Sequence, residues 1–353
     1  MNIDFLSIKP LLRQFLLQRL LTEKLLKFAD EEGFFELLGS MGTFDIEKAA
    51  EVFQHVNGYQ LQEKTRLRMF TVLIDLLHEC EYIKNNDRGY VWVSDANFNR
   101  PLQESEYKIV INTFGGQVAF IEECILYAAT FLRGGPSLYS FDRHSLDTWE
   151  KFLENAEFRF ARSILTKLLI PYTDSRHTIL DLCYGPGFDI LQIQEHAPSM
   201  KVTALDFKDT FYNQASHRSL NPDSVEWVSP ELWNGFGSHL PFDDNIFDAV
   251  LFTCADPYIP EELRKYVYSD IFRVLKRGGS LGILTRSYPD PGKTYVNDTW
   301  IRRGILCHDF AESVCEGWHG FCHADESLNL FRSIGYSVHT IMLNASIWRL
   351  DKT

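Results

Sequence analysis

The stretch Thr178-Ile179-Leu180-Asp181-Leu182-Cys183-Tyr184-Gly185-Pro186-Gly187-Phe188-Asp189 decides how the rest of the chain is read. An apolar run of strand type enters a Gly-x-Gly turn, where the missing Cβ atoms let the backbone come close to a ligand. Seventeen residues beyond Asp189, a second apolar run closes on Asp206. A strand, a glycine turn, a helix and an acid at the end of the next strand make a nucleotide crevice, in which Asp206 can accept from both ribose hydroxyls. Position 190 is Ile where a dinucleotide fingerprint needs its third glycine, and Phe188-Asp189 sit where a pyrophosphate needs a smooth helix start. The pattern therefore disfavours a dinucleotide.

Downstream, strands alternate with helices as a doubly wound sheet requires. The strands are read at Thr178 to Leu182, Lys201 to Leu205, Val225 to Val228, Phe247 to Phe252, Ser280 to Leu284, Ser337 to Leu343 and Ser346 to Leu350. Upstream, helical spacing of Leu12, Phe15, Leu16, Leu20, Leu25 and Phe28 predicts a first helix over Leu11 to Phe28, stopped by Gly33. Thr43 or Asp45 can cap a helix from Ile46 to Phe53, and Glu63 to His78 form a third. Tyr82-Ile83 and Tyr90 to Val93, joined by the turn Asn85 to Gly89, read as a hairpin. Three helices and a hairpin are a winged-helix pattern.

DNA is not the partner this pattern implies here. Residues 1 to 105 hold 12 Lys and Arg against 16 Asp and Glu, and the helix that would enter the groove carries Leu67, Met69, Phe70, Val72, Leu73, Leu76 and Leu77. Dimerisation, and the walling off of a pocket, suits such a surface better. A second apolar helical stretch covers 106 to 133 and breaks at Arg133-Gly-Gly-Pro136. A connector with Tyr139, Phe141 and His144 leads into a long helix from about Ser145 to Ile170. The expected division is a winged-helix-like dimerisation domain over 1–105, a helical bridge contributing to the substrate pocket over 106–170, and an α/β domain over 171–353.

The 353 residues carry 35 basic and 48 acidic side chains, formally −13, which argues against a nucleic-acid or anionic-membrane partner. Seven scattered cysteines fit reduced thiols. The N-terminus lacks the basic leader and apolar core of a signal peptide, and no apolar stretch reads as long and uncharged enough to span a bilayer. A cytoplasmic protein is expected.

At Asp181-Leu-Cys-Tyr-Gly-Pro-Gly187 the sequence resembles the class I S-adenosylmethionine-dependent methyltransferases, whose first motif is an acid followed by three alternating glycines. Cys183 stands in place of the first glycine. Leu240-Pro-Phe-Asp-Asp-Asn-Ile-Phe-Asp-Ala-Val250 resembles the family's fourth strand and its approach, and Arg273-Val-Leu-Lys-Arg-Gly-Gly-Ser-Leu-Gly282 the helix and turn before the fifth. Over nearly the whole chain the arrangement is similar to the dimeric small-molecule O-methyltransferases with an N-terminal winged-helix dimerisation domain. The resemblance implies a Rossmann-like seven-stranded domain, S-adenosyl-L-methionine as cofactor with S-adenosyl-L-homocysteine as product, and a homodimer.

Carried over residue by residue, the resemblance places Asp181 and the backbone of Cys183, Tyr184, Gly185 and Gly187 at the methionine end of the cofactor. Asp206 would hold the ribose and Phe207 would lie beside the adenine. Glu231, Leu232 and Trp233 fall at the adenine contacts, Trp233 being equally suited to the core, and Thr253 closes the fourth strand at the same site. The family's base, a histidine after that strand, is missing from Thr253-Cys-Ala-Asp-Pro-Tyr258, and Asp256 stands nearest its place. Asp256 can act as base, orient an acceptor or cap the following helix. His308 or His319, from a segment that covers the substrate in the family, could replace the base.

Phe141, Tyr258, Arg286, Arg302, Trp318 and His323 complete the expected acceptor site. Cys315, His319, Cys322 and His323 would share one face of a continuous helix and could bind zinc, but Gly317 and Gly320 weaken that helix and no C-x-x-C pair is present, so no metal is expected. The reading is methyl transfer to a small aromatic or polycyclic metabolite, most simply at oxygen. Transfer to N, S or C, a fold-mate that holds the cofactor without transferring methyl, and a cofactor-sensing winged-helix regulator are the alternatives.

Overall fold

The computed structural model describes residues 5–93, 101–142, 144–170, 177–289 and 298–353. In chain order the first elements are α1 (Phe5–Glu31), α2 (Phe34–Ser40), β1 (Thr43–Phe44), α3 (Ile46–Asn57), α4 (Lys64–Glu79), β2 (Ile83–Asn86), β3 (Gly89–Trp92) and α5 (Glu104–Leu132). Then follow α6 (Leu146–Leu153), α7 (Ala156–Leu169), β4 (Thr178–Leu182), α8 (Phe188–His196), β5 (Lys201–Leu205), α9 (Tyr212–Arg218), β6 (Val225–Trp227), β7 (Phe247–Thr253), α10 (Arg264–Val274), β8 (Leu275–Leu284) and β9 (Ser287–Tyr288). The chain ends with α11 (Asp298–Glu312), β10 (Cys322–His323), α12 (Ala324–Ile334), β11 (Tyr336–Met342) and β12 (Ile347–Lys352).

The residues divide into two compact units, one of 1–140 with 295–320, the other of 141–294 with 321–353. In the first, Asp45 caps α3 by accepting from the Lys48 N–H at 2.8 Å. β2 and β3 form the wing, and β1 adds a third strand through Thr43↔Val91. On α4, Met69, Phe70, Leu73, Ile74, Leu76 and Leu77 are fully buried, so the face that would read a DNA groove is core. α5 is long and apolar enough to cross a membrane, a property missed in the sequence, yet Phe114, Val118, Ile121, Cys124 and Leu132 are buried within this unit. It kinks at Phe114 (φ −129°, ψ 20°), just before Gly115-Gly116.

Two expected boundaries move. The single helix expected over 145–170 is two, because the Asn155 side chain accepts from the N–H groups of Glu157 and Phe158 at 2.9 and 3.0 Å and starts α7 afresh. The bridge 106–170 is accordingly split, α5 belonging to the first unit and α6 and α7 to the second. The first unit also takes α11 out of the expected 171–353 domain: Thr22 meets Cys307, Phe28 packs on Phe310 with ring centroids 5.4 Å apart, and Arg68 pairs with Asp309.

The second unit is built on a seven-stranded sheet of order β11-β12-β8-β7-β4-β5-β6. Strands β6, β5, β4, β7 and β8 are parallel, while β12 is antiparallel to both β8 and β11. The chain runs outward from β4 to β6 and returns to β7 on the other side of β4, so the strand order reverses there. The observed strands match those read from sequence to within a residue or two, except that β8 begins at Leu275. Gly282 lets α7 approach the sheet, since a Cβ there would lie 2.3 Å from Leu169 Cδ1.

Leu180, Leu182, Val250, Phe252, Leu281, Ile283, Phe331 and Trp348 form the centre of the core. Trp348, 1% exposed, packs edge-on against Phe331 and donates its indole N–H to the Ala345 carbonyl at 2.7 Å. Trp348→Ala is expected to cost about 3–5 kcal/mol, through the cavity and the lost bond, in equilibrium urea unfolding; a cost below about 1 kcal/mol would contradict this packing.

Candidate cofactor and active site

Asp181 is the penultimate residue of β4, and Asp206 and Cys254 follow the last residues of β5 and β7, all at the carboxyl edge where the strand order reverses. Cys183 adopts the left-handed conformation (φ 62°) that the replaced glycine would take without strain, and donates its N–H to the Leu205 carbonyl at 2.7 Å. Gly185 (φ 47°) faces open space, where a Cβ would meet nothing nearer than 4.0 Å. Gly187 (φ 82°) differs: a Cβ would lie 2.6 Å from Ala215 Cα, so this glycine serves the packing of α8 on α9. The two glycines of one motif thus do different work.

Asp206 ties the turn to β5. Its Oδ2 accepts from the Gly185 N–H at 3.0 Å and its Oδ1 from the Phe207 N–H at 2.8 Å, with the Lys208 backbone N–H also bonding the carboxylate, which leaves room for a further donor such as a hydroxyl. Burial pushes its carboxyl up to about 6 from 3.8, against the lowering effect of these N–H bonds. Asp181 is 1% exposed, and neither of its oxygens has a hydrogen-bond partner among the described residues. Burial, then the charges of Asp189 and Asp206, push its carboxyl well up, and Arg162 opposes them.

A buried carboxylate without donors is costly, and a cationic or donor-rich ligand group at this edge would relieve the cost. The ammonium end of S-adenosylmethionine fits that description and its ribose fits Asp206, so the donor set suits the cofactor.

Beside them, Asp189 Oδ2 accepts from the Thr253 hydroxyl at 2.6 Å and lies 3.5 Å from Arg162 Nε. Phe141 gathers the expected aromatic residues: its ring stacks on Trp149 at 5.3 Å and meets Tyr258 and Phe207 edge-on at 5.0 and 5.7 Å. Tyr184 is buried edge-on against Trp227. Glu231 and Leu232 are exposed, whereas Trp233 is 2% exposed and packs against Phe236, its indole N–H without a partner among the described residues.

The catalytic expectations fare differently. Asp256 is buried and committed: Arg264 Nη2 lies 2.9 Å from its Oδ1, the Tyr268 hydroxyl donates to the same oxygen, and the Thr285 hydroxyl to Oδ2 at 3.5 Å. Burial pushes the Tyr268 phenol well up, so it stays a donor. With both oxygens engaged in this way, Asp256 ties the end of β7 to α10. Arg286 is paired with Glu157 at 3.1 Å and is not a free carboxylate receptor.

Arg302 pairs with Glu79 in the first unit. In that unit too, Trp318 donates to Asp309 at 2.9 Å, and the buried His308 ring is bound at both nitrogens, by Gln117 at 3.1 Å and Glu312 at 3.2 Å. His319 is exposed. His323, exposed at the start of α12, lies against Tyr288 at 5.3 Å. Cys315, His319, Cys322 and His323 share no helix, since α11 ends at Glu312 and α12 begins at Ala324. Arg162 and Asp189 were missed as site residues. Asp189 stood in the quoted motif, but nothing in the pattern of α7 distinguishes Arg162 except its place on an otherwise apolar face.

Residues 179–279 match a family model described as "Methyltransferase domain". The second unit carries a class I methyltransferase domain. Its strand order, switch point and buried acids agree with that match. A demethylmenaquinone methyltransferase of Listeria monocytogenes is 31% identical over 126 residues, 35% of this chain and 51% of that protein. A mitochondrial 2-methoxy-6-polyprenyl-1,4-benzoquinol methylase of Caenorhabditis elegans is 27% identical over 190 residues, 48% of this chain and 61% of its own. The chain thus spans between half and two thirds of the length of these relatives.

Among solved structures, the DszA carbon methyltransferase superposes with a TM-score of 0.66 at 14% identity, covering 99% of this chain and 94% of that one. An O-methyltransferase family 2 protein of Planctomyces limnophilus, in complex with apigenin, gives 0.56 at 13% identity over 100% and 97%. These likenesses extend the shared fold to the N-terminal unit.

The methyltransferase domain should show its acids in a titration. Asp206 has a folded pKa raised to about 6 from 3.8, so between these values the unfolded chain binds fewer protons and stability falls as pH rises. Asp206→Asn should remove that slope: in urea unfolding of the ligand-free protein, the variant should gain on the wild type by about 2–3 kcal/mol between pH 4 and 7. A difference independent of pH would contradict the assignment.

Proposed function

We propose that the protein is an S-adenosylmethionine-dependent methyltransferase acting on a hydroxylated aromatic or polycyclic small molecule. The observation that carries the reading is Asp181, a fully buried carboxylate without a donor at the carboxyl edge of β4, beside Asp206 and the open face of Gly185. Asp181 would take the ammonium group of the cofactor, Asp206 its ribose and Phe207 one face of its adenine. When bound, the cofactor supplies an electrophilic methyl group on a good leaving group. The chain's share is then placement: holding an acceptor atom about 3 Å from that methyl, in line with the breaking bond, supplies much of the acceleration.

The aromatic group of Phe141, Trp149, Tyr258 and Phe207 supports a flat acceptor, since rings stack and meet edge-on favourably. The names of the curated relatives point the same way, toward quinone-type rings. Because Asp256 is occupied by Arg264 and Tyr268, an acceptor that ionises easily suits the site best: an acidic phenol methylated on oxygen, or a hydroquinone carbon. A homodimer through the first unit is part of the proposal, supported by the exposure of Phe15, Tyr107, Ile109 and, at 84%, Leu126.

Incubation with methyl-labelled S-adenosylmethionine and a panel of phenols and reduced quinones tests the reading. Label should move to at least one aromatic acceptor, and label retained on the cofactor while product forms would sink methyl transfer. Light scattering at micromolar concentration should give twice the chain mass of 41.0 kDa; a monomer would refute the dimer.

A further inference from the structure

Phe188, the first residue of α8, follows the glycine turn directly, and two guanidinium groups face its ring. Arg218, the last residue of α9, lies 4.0 Å from the ring centroid, and Arg162 of α7 lies 5.2 Å from it. Each guanidinium is anchored twice more. Arg218 donates to the Pro186 carbonyl, in the middle of the Gly185-Pro186-Gly187 turn, and to the Glu150 carboxylate on α6. Arg162 donates to the Leu153 carbonyl at the end of α6, at 2.7 Å, and pairs with Asp189, which itself holds Thr253 at the end of β7. Both side chains are largely removed from water, at 17% and 5% exposure.

The geometry points to Arg162 and Arg218 as a paired clamp on Phe188 that fixes the glycine turn and the first turn of α8 in the conformation that receives the cofactor. They are positioning residues and touch no reacting atom. The need for such a clamp follows from the turn itself. Cys183 carries a left-handed backbone with a side chain, and Gly185 and Gly187, at φ 47° and 82°, have no side chain of their own to hold them. The backbone of the turn is held by the bonds from Cys183 to the Leu205 carbonyl, from Gly185 to Asp206 and from Gly187 to the Tyr184 carbonyl. A guanidinium fork that reaches a turn carbonyl, an acid and a ring face together restrains it from outside, and an ammonium cannot make that set of contacts. Arg218 lies within the residues 179–279 that match the methyltransferase model, whereas Arg162 lies on α7, before the first strand of the domain.

This inference rests on the reading of the β4 edge as a cofactor site, and one experiment separates the two. Binding of S-adenosylhomocysteine to the full-length protein is measured by calorimetry for the wild type, Arg218→Met, Arg162→Met and the double variant, with Tm and steady-state kinetics in parallel. If the wild type does not bind, the cofactor reading fails. If it binds, the clamp predicts that each single variant weakens Kd by about tenfold, and that the double variant is within about twofold of the weaker single, because losing either guanidinium frees the ring.

The clamp also predicts that kcat at saturating cofactor and the acceptor KM stay within about twofold while the cofactor KM rises. Arg218→Lys should bind no better than Arg218→Met. Unchanged Kd in both single variants, strictly additive losses, rescue by Lys, or a fall in kcat without a change in cofactor KM would each overturn it. Should Arg162→Met not fold, Arg218→Met and Phe188→Leu carry the test, with equal losses in cofactor affinity expected and unequal ones contradicting the clamp.

Discussion

Three carboxylates, Asp181, Asp189 and Asp206, are buried together at the carboxyl edge of the parallel strands, and one guanidinium, that of Arg162, lies among them. Burying like charges side by side is among the more costly things a fold can do. Asp189 is offset by Thr253 and Arg162 and Asp206 by the backbone N–H groups of Gly185, Phe207 and Lys208, whereas Asp181 has the charge of Arg162 nearby but no hydrogen-bond partner among the described residues. That cost is relieved when Asp181 takes up a proton, and on the proposed reading also when the cofactor completes the site. The surrounding arrangement serves that point: the strand order reverses beside β4, and the glycine turn leaves one open face.

The two glycines show how finely the turn is divided. A Cβ at Gly185 would face open space, whereas one at Gly187 would run into α9. Cys183, a residue with a side chain in a conformation that suits glycine, has its parallel in Cys254 (φ 59°), which follows β7 and donates to the Leu284 carbonyl at 2.7 Å as Cys183 does to Leu205. Adjacent strands thus end in the same strained step, each held by the carbonyl of the next strand. Backbone strain of this kind persists only where the surroundings over-determine it.

The seven strands were legible because apolar runs bounded by turns suffice to read them, and two of the acids because Asp181 stands near the end of the first run and Asp206 just past the second. Helix boundaries were less so. The break at Asn155 is a capping event on a continuous apolar pattern, and the side chain's choice between solvent and two backbone N–H groups is local chemistry that periodicity does not register. The membership of α11 in the first unit depends on long-range partners such as Thr22 and Arg68, which lie hundreds of residues away. Asp256 was chosen by its offset from a motif, and its contacts depend on Arg264 at the start of α10 and Tyr268 one helical turn further on. Arg162 and Arg218 were not singled out because the ring they share is set by tertiary packing.

The central claim is that the edge formed by Asp181, Gly185 and Asp206 is where an adenosyl cofactor sits. A crystal structure of the protein grown with S-adenosylhomocysteine tests it most directly. The account predicts density over the open face of Gly185, with the ribose hydroxyls on Asp206 and the amino group within hydrogen-bond reach of Asp181. Clear density for the molecule elsewhere, with Asp181 still without a partner, would contradict it.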